Sequence, residues 1–208
     1  DRLQYQNEKV ELSEEPEGLY VPGENGAIFI NYPNYIKNPP ATLITIVHEL
    51  IHYFDSMLFV NDFCDGNWDN FENHEIYKTF RLWSEFHAVY RSLLLGREIY
   101  AYAMPEYYSR EDIIEEFQDF TKINNYKNYI ESFDVVDYYH IFRYCAEVML
   151  CIGMNNQITL DYCITNKLVK DFPAFKELFY DLLKMTTYKE AKEHLDLIHW
   201  KLFKHFEY

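Results

Sequence analysis

Thr45-Ile-Val-His-Glu-Leu-Ile-His-Tyr-Phe-Asp55 sets two histidines and a glutamate in the order His-Glu-x-x-His, inside a run that is otherwise apolar. On an α-helix His48 and His52 stand one turn apart on one face, so both imidazoles can reach a single cation. Glu49 is rotated by about 100° from His48, given 3.6 residues per turn. That puts it beside such an ion rather than on it. A carboxylate placed there can take a proton from a water whose pKa a zinc ion brings toward about 7. The spacing therefore meets the needs of a hydrolytic zinc site. Ile46, Val47, Leu50 and Ile51 mark the helix as buried, and unpartnered polar groups in a buried helix would cost on the order of several kcal/mol. The alternative is a set of ordinary histidines in a chain that has 8 of them.

A zinc ion needs a third protein ligand. The extended pattern that supplies it from the same segment calls for glycine at position 55 and histidine at position 58, where this chain has Asp55 and Leu58. The ligand must therefore come from further along. Glu85 is the choice, within Arg81-Leu-Trp-Ser-Glu-Phe-His-Ala-Val-Tyr-Arg-Ser92. Ser84, Ala88 and Ser92 flank it on one side of a second helix, and small side chains there let that helix approach the first closely. Glu75, His74, Asp62 and Asp69 compete for the role. Two residues are candidates for supporting parts. Asp55, one turn beyond His52, could accept the second ring N–H of that imidazole. His87, two residues past Glu85, could reach the cleft rim.

These side chains require two long helices to carry them. Asn38 as N-cap with Pro39 at the first helical position starts one helix, which is expected to run to about Val60. Residues 61–72 read as a loop, and a second helix is expected from Asn73 to about Tyr102. Ahead of them, Asn25-Gly26 between apolar runs predicts a hairpin with strands near 18–22 and 27–31. Residues 1 to about 15 read as a loose acidic arm. The remainder predicts helices near 110–122, 134–154, 157–169, 173–184 and 187–205, with capping boxes at Ser109/Asp112 and Thr187/Glu190 and Pro173 in the first turn of the fourth. Aromatic stripes in this half read as core. The fold class is thus α+β and mostly helical: a small antiparallel sheet beside the active-site helix, then an all-α C-terminal half. A soft boundary near Met104-Pro105 divides a catalytic core at 1–104 from a helical region at 105–208 packed on it.

Composition narrows the partners. A formal charge of −15 with no basic stripe argues against a grip on nucleic acid or an anionic membrane surface. At long range it favours basic peptide segments at low salt. Four cysteines without a CxxC pattern read as reduced buried thiols; no signal peptide is evident and no uninterrupted apolar run is long enough to span a bilayer. A cytoplasmic setting is the expectation, with secretion left open because the sequence starts at Asp1 rather than Met.

The strand Ala27-Ile-Phe-Ile-Asn31, the helix with His48-Glu-Leu-Ile-His52, and Glu85-Phe-His-Ala88 together resemble the ImmA/IrrE-type metallopeptidases, over roughly residues 18–95. Those proteins are gluzincins, in which two histidines and a downstream glutamate hold one Zn²⁺. Their second helix often carries Glu-Ala-Asn-x-Phe-Ala, of which this chain keeps Glu85, with Ala88 at the open position, while Phe86, His87, Val89 and Tyr90 differ. The resemblance implies an intracellular enzyme that cleaves a protein or peptide, with Glu49 as catalytic base and His48, His52 and Glu85 as metal ligands. The alternative is a catalytically idle peptidase fold that binds a protein regulator. The strand at 27–31 is expected to offer its edge to an extended substrate.

Overall fold

The computed structural model describes residues 18–30 and 38–204; the acidic arm, Asn31 and His205 lie outside them. The hairpin follows its turn signal. Strands β1 (Gly18–Val21) and β2 (Ala27–Ile30) pair antiparallel with Tyr20 opposite Ile28, and Gly26 closes the turn by donating its N–H to the Gly23 carbonyl at 3.0 Å.

Helix α1 (Pro39–Phe63) starts at the expected cap, where the Asn38 side chain accepts from the Ala41 N–H at 3.3 Å. It runs past Val60, because Asn61 and Asp62 stay on its exposed face. It stops where Asp65 and Gly66 take φ of 53° and 77° and the Gly66 N–H reaches back to the Val60 carbonyl. By length and composition alone α1 could cross a bilayer, but His52 and Asp55 on it are buried against the next long helix. That helix, α2 (Tyr77–Ala103), begins at Tyr77 rather than Asn73. Phe71 and Ile76 are each 2% exposed, in the aromatic cluster with Phe59 and Phe80. Anchoring those two side chains holds the intervening backbone in turns.

The α1–α2 crossing brings the functional side chains together. Ser84, Ala88, Ser92 and Gly96 recur every fourth residue on α2, and all are buried. Side chains at that spacing share one face, so a stripe with almost no bulk meets α1. At Gly96 a β-carbon would lie 2.7 Å from the Ile44 Cα. Backbone cannot yield as a flexible side chain can. Gly96→Ala is therefore expected to destabilise the protein by about 1–3 kcal/mol through overpacking. Gly153, with nothing near its missing β-carbon, supplies the control: Gly153→Ala is expected to be neutral or stabilising by up to about 1 kcal/mol. Denaturant melts of the two variants check the contrast.

Ten α-helices occur among the described residues, after a single two-stranded sheet, so the fold is α+β and mostly helical. The back half is cut into shorter pieces than its hydrophobic pattern indicates. It contains α3 (Arg110–Gln118), α4 (Phe120–Glu131), α5 (Tyr138–Met154) and α6 to α10 (Leu160–Cys163, Asn166–Asp171, Phe175–Leu182, Tyr188–Lys192, Leu195–His199), then a π-turn at Trp200–Lys204. Both expected capping boxes form. Helix breaks fall where a side chain caps a new start: Asp119 accepts from Thr121, Thr159 from Tyr162 and Thr165 from Leu168. Asp137 likewise delays α5 to Tyr138. Pro173 precedes α8 instead of lying in its first turn.

The core runs through both halves as one cluster, from Phe59 on α1 to Leu202 in the π-turn. Trp83, fully buried at its centre, donates its indole N–H to the Met185 carbonyl at 2.8 Å. The four cysteines are unpaired and buried.

Candidate metal centre

Three ligand atoms converge at the α1–α2 crossing. His48 Nε2 and His52 Nε2 are 3.0 Å apart, and they lie 3.7 and 3.3 Å from the two carboxylate oxygens of Glu85. One nitrogen or oxygen from each falls within 4.8 Å of the others, so the group could hold a metal ion. Glu75 and Asp69 are exposed, Asp62 pairs with Lys192 at 2.8 Å, and His74 packs its ring on Phe59 and Phe63. None of these joins the cluster.

The hydrogen bonds behind His52 fix which of its nitrogens is free. Ser84 Oγ donates to Asp55 Oδ2 at 3.1 Å, so its proton is already committed. Its 2.8 Å contact with His52 Nδ1 must then be an N–H from the ring. That assigns the Nδ1–H tautomer and leaves Nε2 with a lone pair aimed at the cluster. Burial pushes the His52 pKa down, although Glu85 opposes it, and this keeps the ring neutral. At Glu85 burial acts to raise the pKa, but the two imidazoles outweigh it and hold the group a carboxylate well below the usual range. Two imidazole nitrogens and a carboxylate facing one point form a divalent-cation donor set.

Asp55 and His87 sit differently from the expectation. Asp55 does not accept from His52 directly, since both are on α1; Ser84 reaches in from α2 between them. His87 is not at the cleft rim. Its Nδ1 lies 3.0 Å from Asp55 Oδ2, and its ring stacks on Trp83 with centroids 4.9 Å apart. It thus orients Asp55 from behind. Ser84→Ala would leave the His52 N–H and the buried Asp55 without their shared partner. Metal affinity is expected to fall by about 10–100-fold, measured by competition with a chromogenic chelator, with Ser84→Thr restoring most of it.

Glu49 lines the same cleft as His48, His52 and Glu85, turned toward the hairpin. Its Oε2 accepts the Tyr20 N–H at 2.8 Å, and its Oε1 accepts no hydrogen bond among the described residues. This bond shows that β1, not β2, lines the cleft: the Tyr20 N–H points away from β2. Gly18 permits that approach. A β-carbon there would lie 2.5 Å from Thr45 Cγ2 and 3.1 Å from Glu49 Cγ.

The cleft holds about 470 Å³, and its far wall comes from α5. Arg143 Nη1 donates to Glu85 Oε1 at 2.7 Å and to the Tyr139 hydroxyl at 3.1 Å. Burial alone would lower the Arg143 pKa, but Glu85 and Tyr139 raise it, so the charge is fixed. One turn on, burial lifts Glu147 to about 7 against the pull of Arg143 and Lys122. Tyr139, Arg143 and Glu147 recur every fourth residue in an otherwise apolar helix, a signal that sequence reading passed over as core amphipathicity.

No protein-family model, curated protein or solved structure matches the chain.

Proposed function

We propose that the protein is a zinc-dependent peptidase of the gluzincin kind, similar to the ImmA/IrrE type, with His48, His52 and Glu85 as ligands and Glu49 as general base. One observation carries the reading. The imidazole nitrogens are 3.0 Å apart, and each has a Glu85 oxygen nearby, Oε2 at 3.3 Å from His52 and Oε1 at 3.7 Å from His48. These values lie either side of the about 3.3–3.4 Å between neighbouring donors around a tetrahedral ion bound at about 2.0–2.1 Å. Three ligands and an open side on the cleft are what a catalytic rather than structural zinc site has.

A bound zinc ion supplies Lewis acidity, lowering the pKa of water and polarising a carbonyl. The rest falls to the chain. Glu49 Oε1, which accepts no hydrogen bond among the described residues, accepts the proton of the attacking water and passes it to the departing amine. The Tyr20 N–H fixes that carboxylate through its other oxygen, so the base is held in place before substrate arrives. An extended peptide has β1 beside it, and the Gly18 main chain and the Tyr20 carbonyl offer pairing there, while the Tyr20 N–H is engaged by Glu49. Tyr139 and Arg143 border the same space from α5.

Incubation of the zinc-reconstituted protein with a mixture of unstructured peptides, read by mass spectrometry, tests the reading. Cleavage that a chelator abolishes and zinc restores is expected; an unchanged mixture at stoichiometric zinc would count against it.

A further inference from the structure

The cleft contains two arginines, and both flank Glu85. Arg143 comes from α5; Arg81 comes from α2, one turn ahead of Glu85 and on its face of the helix. A guanidinium has five N–H groups. Arg143 commits two, both from Nη1, to Glu85 and Tyr139. Its Nη2 and Nε donate to nothing among the described residues, and that edge is the fork that grips a carboxylate through two parallel hydrogen bonds. Arg81 forms no ion pair among the described residues, yet it is close enough to act on both His52 and Tyr20. By contrast, Arg97 engages all three of its side-chain nitrogens, with Glu116 and the Leu93 carbonyl.

The local sign therefore opposes that of the whole molecule. A chain of formal charge −15 points two arginines, and a candidate site for a divalent cation, into one cleft. Of the acids there, Glu85 is engaged by His48, His52 and Arg143, and Glu49 by Tyr20. Glu147 carries little charge below a pH of about 7. The overall charge governs approach at distances beyond a Debye length only at low salt; within the cleft the near groups decide.

We infer that Arg81 and Arg143 form a carboxylate-recognition site, so that the preferred ligand is a peptide carrying a carboxylate within reach of the metal cluster. The peptide identity of the ligand rests on the function proposed above; the carboxylate preference rests on the arginines alone. The carboxylate can be a free C-terminus or an acidic side chain, and the test separates them.

Calorimetry on the full-length Glu49→Gln protein, with and without added zinc, avoids turnover. Two peptide pairs serve as probes: one sequence with a free or an amidated C-terminus, and one amidated sequence with an internal Glu or Gln. The acidic member of at least one pair is expected to bind on the order of tenfold or more tightly, and which pair responds identifies the source. Adding Arg81→Gln or Arg143→Gln is expected to remove the preference, and Arg143→Lys to restore it only in part, since an ammonium lacks the fork. Equal binding within both pairs, a preference that survives both arginine substitutions, or no peptide binding at all would overturn the inference. A carboxylate preference abolished by these substitutions, in a protein that cleaves nothing, would sink the peptidase reading and leave this one standing.

Discussion

Glu49→Gln is expected to lower peptide hydrolysis by about 10²–10⁴-fold while leaving bound metal at the wild-type level. Glutamine has nearly the shape of glutamate, and its amide oxygen can still accept the Tyr20 N–H that holds Glu49 at 2.8 Å. What it loses is the capacity to take a proton. Glu49 lines the same cleft but is held by the Tyr20 N–H and supplies no atom to the His48–His52–Glu85 group, so metal retention follows from the geometry. Paired turnover and metal assays check both halves. If the chain is instead an idle peptidase fold that binds a regulator, neither protein turns substrate over and regulator affinity is the same in both.

Glu85→Ala is expected to weaken metal binding by more than about 100-fold, beyond the 10–100-fold typical of losing an outer partner. The substitution removes the only anion from the donor set. It also strips Arg143 of its carboxylate, leaving a positive charge beside the position a cation would occupy. Glu75→Ala is the matched control: Glu75 is exposed and precedes α2, so affinity should not change. Dissociation constants from chelator competition report both, and a reversed pattern would transfer the ligand role to Glu75.

The two long helices, the hairpin and the His48–His52 pair were legible because each rests on local spacing. Turn residues, a cap and a four-residue interval report on neighbours along the chain. Glu85 was reachable by one step more, through the small residues beside it, and that series continues unread to Gly96, where a β-carbon would lie 2.7 Å from the Ile44 Cα. Contacts between elements distant in sequence were not legible. Nothing in Gly18–Val21 says that this strand, rather than Ala27–Ile30, faces Glu49. Asp55 reads as a partner of its own helix neighbour His52, whereas Ser84 from α2 intervenes. Arg143 is 58 residues from Glu85, and its helix reads as ordinary core. The back-half breaks were missed for another reason: Asp119, Thr159 and Thr165 cap short helices, and in a pattern search a capping side chain looks like any polar residue on a helix face.

The central claim is that His48, His52 and Glu85 grip one divalent cation. Elemental analysis joined to X-ray absorption at the metal edge, on protein purified without chelator, addresses it most directly. About one zinc per chain is expected, bound by two imidazole nitrogens and a carboxylate at about 2.0–2.2 Å, and lost in the His48→Ala/His52→Ala protein. A chain without stoichiometric metal, or one whose metal survives that double substitution, would contradict it.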